Sequence, residues 1–421
     1  MFVAVTGSSF AALQFPSARL LKFTPELLSA FVLVYVIFTG ARRRFEFIAP
    51  KYWLLFAALV LVIVCGAASA GAAPAPLVGQ LRFYLRAMPF FLLPAVVSFT
   101  ETELRQQLKW LMWLGIMQFP VAAFQRWQVW SQGRFTGDPV QGTLLGSGTL
   151  TIFLLSSAFV ASGLFLRGQL SRARYIALML ILFLPTTINE TKVTAVYLPL
   201  GLLVAFTTGT EPSRRLRVLT WGMVLTLVLS GIFLPVYSYF EAPNPYAKMN
   251  SVAALASSQK YLRKYLSSDV RGPGTKKEVR RVDALRVPLE YLARDPVRLT
   301  LGLGLGSVSA SETLGKSFQG TYYLLFRPFL ITSFTYILLD MGVLGIVLVV
   351  LLNIVVLRDA QALAHHDQKL ISGLATGWTA VTLIMSISLI YTTVHQAESL
   401  AYPYWYISGV LAAERVRSSA H

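Results

Sequence analysis

The chain has 421 residues, of which 55% are hydrophobic and 13% charged, and its formal net charge is +18. Soluble chains carry about 25% charged residues, so the composition excludes an ordinary water-soluble domain and points to a membrane solvent. Cys65 is the one cysteine, and His365, His366, His395 and His421 are the histidines. Neither a disulfide framework nor a Cys/His metal site can be built from that set, and no metal or cofactor is expected.

Apolar runs near the roughly 20 residues needed to cross a bilayer predict spans at 24–40, 52–70, 81–98, 108–125, 145–166, 175–188, 193–209, 218–238, 329–356, 370–391 and 402–413. Residues 1–18 lack a basic leader and a small-residue cleavage site, so they read as a twelfth span or its remnant rather than as a signal peptide. The expected fold class is all-α, a polytopic transmembrane helix bundle of 11–12 spans with one large, mainly helical external loop. It divides into N-terminal transmembrane helices 1–238, a basic loop domain 239–328 and C-terminal transmembrane helices 329–421.

The connectors alternate in charge. Arg42, Arg43, Arg44 and Lys51, then Arg105 and Lys109, then Arg167, Arg172 and Arg174, then Arg214, Arg215 and Arg217 fall on one side. Arg358, Lys369, Arg415 and Arg417 join them, while the opposite side holds chiefly Arg126, Arg134 and Lys192. The positive-inside rule puts the first set in the cytoplasm and residues 239–328 outside, because long loops are translocated largely regardless of charge. The cations of that loop, among them Lys260, Arg263, Lys264, Arg271, Lys276, Arg294 and Arg298, read either as a solvated surface drawn to lipid headgroups or as a site for an anionic substrate.

Within the loop, helices are predicted over 249–268 and 275–294, separated by the turn sequence Arg271-Gly272-Pro273-Gly274. Val282, Leu285, Leu289 and Leu292 make an apolar stripe on the second, where Pro288 is expected to kink the helix. Lys277, Arg280 and Arg281 at its start add to the positive end of the helix dipole. The run Gly302 to Ser307 reads as a turn; it lacks the spacing of a dinucleotide-binding loop.

Charges at the external boundary carry more information, since an ionisable group at membrane depth is costly. Arg82 and Arg86 lie four apart on one helical face, Arg126 and Arg134 flank one connector, Glu190 and Lys192 occupy another, and Arg327 stands where the loop re-enters the membrane. Singly, each reads as a snorkelling side chain. Asp340 lies about a dozen residues, roughly 18 Å, into a span, and its bland reading is an ion pair with one of these arginines. Tyr322, Tyr323, Phe326 and Tyr404 read as interface anchors or as sugar-binding rings.

Four segments then carry a resemblance. They are Arg134-Phe135-Thr136-Gly137 running through Gly146 into a span, and Asn189-Glu190-Thr191-Lys192 at the start of another. The third is Arg281, Leu285, Leu292, Asp295-Pro296 and the Gly302 to Ser307 run, and the fourth is Asp340-Met341-Gly342-Val343-Leu344-Gly345. In order and topology these resemble the bacterial O-antigen polymerase and O-antigen ligase superfamily, membrane enzymes that act on glycans carried by polyprenyl pyrophosphate. Lys192 stands where the family often has arginine, and a long spacing after Pro296 leaves Arg280 or Arg281 as the equivalent of the loop arginine. Ile331, Thr332 and Ser333 occupy the place where ligases carry a histidine, which favours a polymerase.

The resemblance implies a metal-independent glycosyltransferase in the bacterial inner membrane. Its substrate is a polyprenyl-pyrophosphate-linked oligosaccharide, its surroundings are membrane lipids, a chain-length regulator protein is a candidate partner, and nucleic acid is not. Arg281 is the expected catalytic arginine, with Arg82, Arg86, Arg134, Lys192, Arg280 and Arg327 binding pyrophosphate. Glu190 is the first choice of general base and Asp283 the second. The alternatives are an O-antigen ligase and a transporter or flippase of an anionic lipid-linked glycan; against the transporter, the two halves show no internal repeat.

Overall fold

The structure is a computed structural model and describes residues 7, 21, 23–42, 48–133, 138–241, 258–268, 270, 272–275, 278–311 and 315–419. Among these the chain is helical, with no strand. The first helices are α1 (Thr24–Arg42), α2 (Pro50–Ala70), α3 (Pro74–Leu85), α4 (Met88–Val96), α5 (Glu101–Ser131), α6 (Ser147–Leu166), α7 (Arg172–Ile188), α8 (Thr194–Thr208) and α9 (Arg215–Glu241). Short helices follow: α10 (Gln259–Leu266), α11 (Arg281–Leu292), α12 (Pro296–Leu301) and α13 (Tyr323–Phe326). The chain ends with α14 (Ser333–Leu363), α15 (Lys369–Ser388) and α16 (Glu398–Ser419).

Six of these, α1, α2, α6, α9, α14 and α15, are long and apolar enough to cross a membrane. Phe31 and Phe38 on α1 and Trp110, Trp113 and Trp127 on α5 stand more than half exposed. Water disfavours so much bare apolar surface, whereas acyl chains accept it, and the bundle is compatible with a multi-pass membrane protein. Its centre is the pair α6 and α15, each 83% buried over its apolar stretch. Gly377 lets them touch: a Cβ there would stand 2.5 Å from the Phe159 carbonyl oxygen, the small-residue contact typical of membrane helices.

Several boundaries differ from the sequence reading, each for a local reason. The expected span 81–98 is two helices, because Pro89 in the first turn of α4 starts a new helix. The expected span 108–125 lengthens into α5, which Thr100 and Glu103 initiate as a reciprocal capping box. The helix expected over 275–294 begins at Arg281, and of that expected over 249–268 only α10 is seen, residues 249–257 lying outside the described set.

The stripe on α11 is also turned. Asp283, Ala284, Val287, Pro288 and Leu292 are buried, while Val282 and Leu289 are each 42% exposed. Pro288 does not break the helix. Proline removes the donor that would bond the carbonyl four residues earlier, and that carbonyl, on Ala284, accepts instead from Thr335 Oγ1 at 2.9 Å. The missing bond therefore becomes an anchor to α14, over which Ala284, Val287, Leu292, Leu303, Phe326 and Phe329 pack with Leu338 and Leu339.

Candidate functional site

A cleft of about 860 Å³ opens where the 189–192 turn, the start of α6, Tyr265 with residues 278–281, and the connector after α15 meet. The turn follows the end of α7. Asn189 is buried and its Nδ2 donates to Ser147 O and Thr151 Oγ1, both at 3.0 Å, which ties the turn to α6. Glu190 has φ 56°, the one positive value at a non-glycine among the described residues, a conformation that costs energy and tends to occur at functional sites. Its Oε1 accepts from Arg126 Nη2 at 2.6 Å. Arg126, with a side chain only 3% exposed, has its guanidinium 5.3 Å from the Trp130 ring and 5.1 Å from the Phe240 ring and also donates to Phe240 O at 2.7 Å.

The start of α6 forms a second wall. Gly146 (φ 110°) precedes the helix and supplies no side-chain cap, and Gly146, Ser147, Gly148 and Thr149 line the cleft. First-turn amides without a cap are donors at the positive end of the helix dipole.

The cations complete the site. Arg280 precedes α11, its amide donating to Ser268 Oγ at 3.2 Å. The guanidinium of Arg281 stacks 4.4 Å from the Tyr391 ring and 5.7 Å from the Tyr265 ring. Nε donates to Tyr391 O at 3.3 Å and Nη1 to Tyr265 Oη at 3.4 Å, leaving Nη2 without a protein acceptor among the described residues. Lys192 Nζ sits 5.3 Å over the same Tyr265 ring. Among the described residues Lys192, Arg280 and Arg281 have no carboxylate within ion-pair distance. Asp138, Glu190 and Glu278 bring negative charge to the same cleft.

The remaining nominated residues lie elsewhere. Arg86, 3% exposed, contacts Glu398 at 2.6 Å and Glu26 at 3.2 Å and donates to Gln396 O at 2.5 Å; Arg82 is 3.8 Å from Glu26. Both are consumed by internal carboxylates and do not line the cleft. Arg327 is exposed beside Pro328, which does line it. Arg134 and Lys277 fall outside the described residues.

Asp283 is not brought to the cleft as a base. It is fully buried and accepts from Ser268 N at 2.5 Å, Ser268 Oγ at 2.9 Å, Ser267 Oγ at 3.0 Å and Arg286 Nη2 at 3.1 Å. Burial alone would raise its pKa, but these donors outweigh burial and hold the carboxyl below the usual carboxylate range. Tyr404 and Phe326 are core residues, not interface anchors: Tyr404 donates to Asn353 Oδ1 at 2.7 Å, and Phe326 packs on Tyr291 and Phe329.

The glycine run is packed rather than open. Gly302, Gly304 and Gly306 all have φ near +80°, reachable at low cost only by glycine. Leu303 N bonds Leu339 O at 2.7 Å, and Gly306 N bonds Asp340 Oδ1 at 3.2 Å. A Cβ on Gly306 would stand 2.4 Å from Pro76 O. Asp340 therefore has no arginine partner among the described residues; its other donors are Gln80 Nε2 at 2.8 Å and Tyr84 Oη at 3.0 Å.

Sequence reasoning missed Tyr265, Tyr391, Asp138 and Glu278, which carry no local signal; Asp138 follows Gly137 in a short connector. Among the described residues no group of three or more His, Cys, Asp or Glu side chains is placed to hold a metal ion. No protein-family model matches this chain, and no curated protein matches it significantly.

Proposed function

We propose that this chain is a membrane glycosyltransferase that polymerises polyprenyl-pyrophosphate-linked oligosaccharide repeat units into O-antigen, capsular polysaccharide or exopolysaccharide. The observation that carries this reading is the division among the cations. Arg82 and Arg86 are held by carboxylates away from the cleft, whereas Lys192, Arg280 and Arg281 gather on one cleft beside an uncapped helix start. Preorganised donors of this kind stabilise the charge that develops on a leaving pyrophosphate, and arginine's planar fork matches phosphate oxygens.

In the reaction the acceptor hydroxyl oxygen bonds to the anomeric carbon of the donor glycan. The bond from that carbon to the pyrophosphate oxygen breaks, its electron pair leaves on the phosphate, and the hydroxyl proton passes to a base. Arg281 is the catalytic arginine, with Lys192 and Arg280 holding the pyrophosphate. Glu190 is the base, and Asp138 on the same cleft is its alternative. In this reading the chain crosses a bacterial inner membrane 11–12 times with its basic short connectors in the cytoplasm. Residues 239–328 are then external, the cleft meets lipid-linked units at the outer leaflet, and a chain-length regulator is a partner.

An O-antigen ligase is the second reading, and His395 is the observation that favours it. Its Nδ1 lies 2.8 Å from Ser333 Oγ, beside the 331–333 segment where the resemblance implies a ligase histidine. The ring packs on Tyr84 and Tyr336 and is not part of the cleft wall, so the polymerase stays first. The test is polysaccharide length on a gel from cells whose own gene is deleted and which carry this chain or Arg281→Ala, at matched membrane expression. Long polymer with the intact chain and single repeat units with the variant support the reading. Altered attachment at unchanged length makes the chain a ligase.

A further inference from the structure

At the opposite end of α7 from the cleft, a groove of about 460 Å³ lies between α7 and α9, within the range of about 300–1,000 Å³ usual for ligand sites. Its walls are apolar side chains, among them Ile176, Phe206, Trp221 and Val224. The floor offers no spare polar group, since Tyr175 stacks on Phe165 at 4.3 Å and its hydroxyl is satisfied by Ser162 Oγ at 3.0 Å. The exception is Arg172 at the rim, whose guanidinium is 5.0 Å from the Trp221 ring.

Charge at the starts of the two helices that wall the groove is one-sided, and Arg172 lines the groove itself. Arg172 and Arg174 open α7, Arg214, Arg215 and Arg217 surround the start of α9, and all five are exposed; Glu211 is the carboxylate in the connector before α9. The peripheral α9 is only 17% buried over its apolar stretch, so the groove opens to whatever surrounds the bundle. An apolar slot with an arginine held over a tryptophan, walled by two helices whose starts carry further exposed arginines, has the chemistry of an anionic membrane lipid site. The 17 residues of α7 separate it from the catalytic cleft by about 25 Å of helix, too far to be one headgroup's subsite.

We propose that this groove binds an anionic phospholipid, with an acyl chain between α7 and α9 and its phosphate at Arg172. The site does not depend on the glycosyltransferase reading. Native mass spectrometry of the full chain in detergent, offered phosphatidylglycerol and phosphatidylcholine of the same acyl chains at equal concentration, tests it. The expected result is at least a tenfold preference for phosphatidylglycerol, abolished by Arg172→Gln and by Val224→Trp, which fills the slot, and kept by Arg358→Gln, an exposed arginine of α14 that does not line the groove. Equal retention of the two lipids, or a preference that survives both groove variants, overturns the proposal. Displacement of phosphatidylglycerol by equimolar polyprenyl phosphate also overturns it and assigns the groove to the substrate's lipid tail.

Discussion

Replacing Asp283 with alanine separates a structural carboxylate from a catalytic one. The side chain receives four donors within 3.1 Å, and a hydrogen bond to a charged acceptor contributes about 1.5–3 kcal/mol. The two serine hydroxyls can turn to other acceptors, and Arg286 is 46% exposed, so water recovers most of its loss. The Ser268 amide is the principal orphan. The expected cost is about 2–4 kcal/mol in the docking of residues 267–268 onto α11, a roughly 30- to 900-fold rise in local opening. Hydrogen–deuterium exchange of peptides covering 259–292 reads this directly, with α15 peptides unchanged. Because the folded carboxyl titrates below its unfolded value, near 3.9, its contribution is complete above that value and is lost as pH falls through the lower folded one. The difference between intact chain and variant is therefore constant from about pH 5 to 8 and closes below about pH 4. Unchanged exchange with abolished turnover would refute the reasoning and restore Asp283 as the base.

Further perturbations bear on the rest of the site. Gly306→Ala places a Cβ 2.4 Å from Pro76 O at φ 88°, and strain plus overpacking cost about 2–6 kcal/mol; the melting temperature in detergent falls sharply unless the run is a loose turn. Arg126→Met breaks the buried ion pair with Glu190, whose side chain is 10% exposed, a loss of about 3–5 kcal/mol. Glu190→Gln is milder in the same thermal assay, and the reverse order contradicts the ion-pair account. Asp340→Leu strips the acceptor from Gln80, Tyr84 and the Gly306 amide, at about 1–3 kcal/mol per orphan, while Asp340→Asn keeps an acceptor and most of the stability. A stable Asp340→Asn chain with no function would instead favour ion-coupled transport.

The helical, membrane-compatible character was legible in the sequence because long apolar runs have few other solutions. The 189–192 turn and the Arg280–Arg281 pair were legible too, and the fold brings them to one cleft. That Arg82 and Arg86 lie off the cleft was not legible, for a physical reason: their spacing shows a common helical face, but the carboxylates that hold Arg86 lie 60 and 312 residues away. Asp283 was read by its chemistry alone, while its environment comes from a serine pair about 15 residues earlier. The glycine run showed only that backbone freedom was needed. Its contacts with Leu339 and Asp340 depend on how α14 packs, which no local pattern encodes.

The most direct test of the central claim uses purified protein in lipid vesicles supplied with a polyprenyl-pyrophosphate-linked oligosaccharide. Mass spectrometry follows both glycan length and released polyprenyl pyrophosphate. The account predicts elongated glycan with matching release, and a drop of about 100-fold or more with Arg281→Ala, only partly restored by Arg281→Lys because an ammonium lacks the fork. Arg281→Ala turnover equal to that of the intact chain, with folding verified, would contradict the assignment of the cleft as a pyrophosphate site.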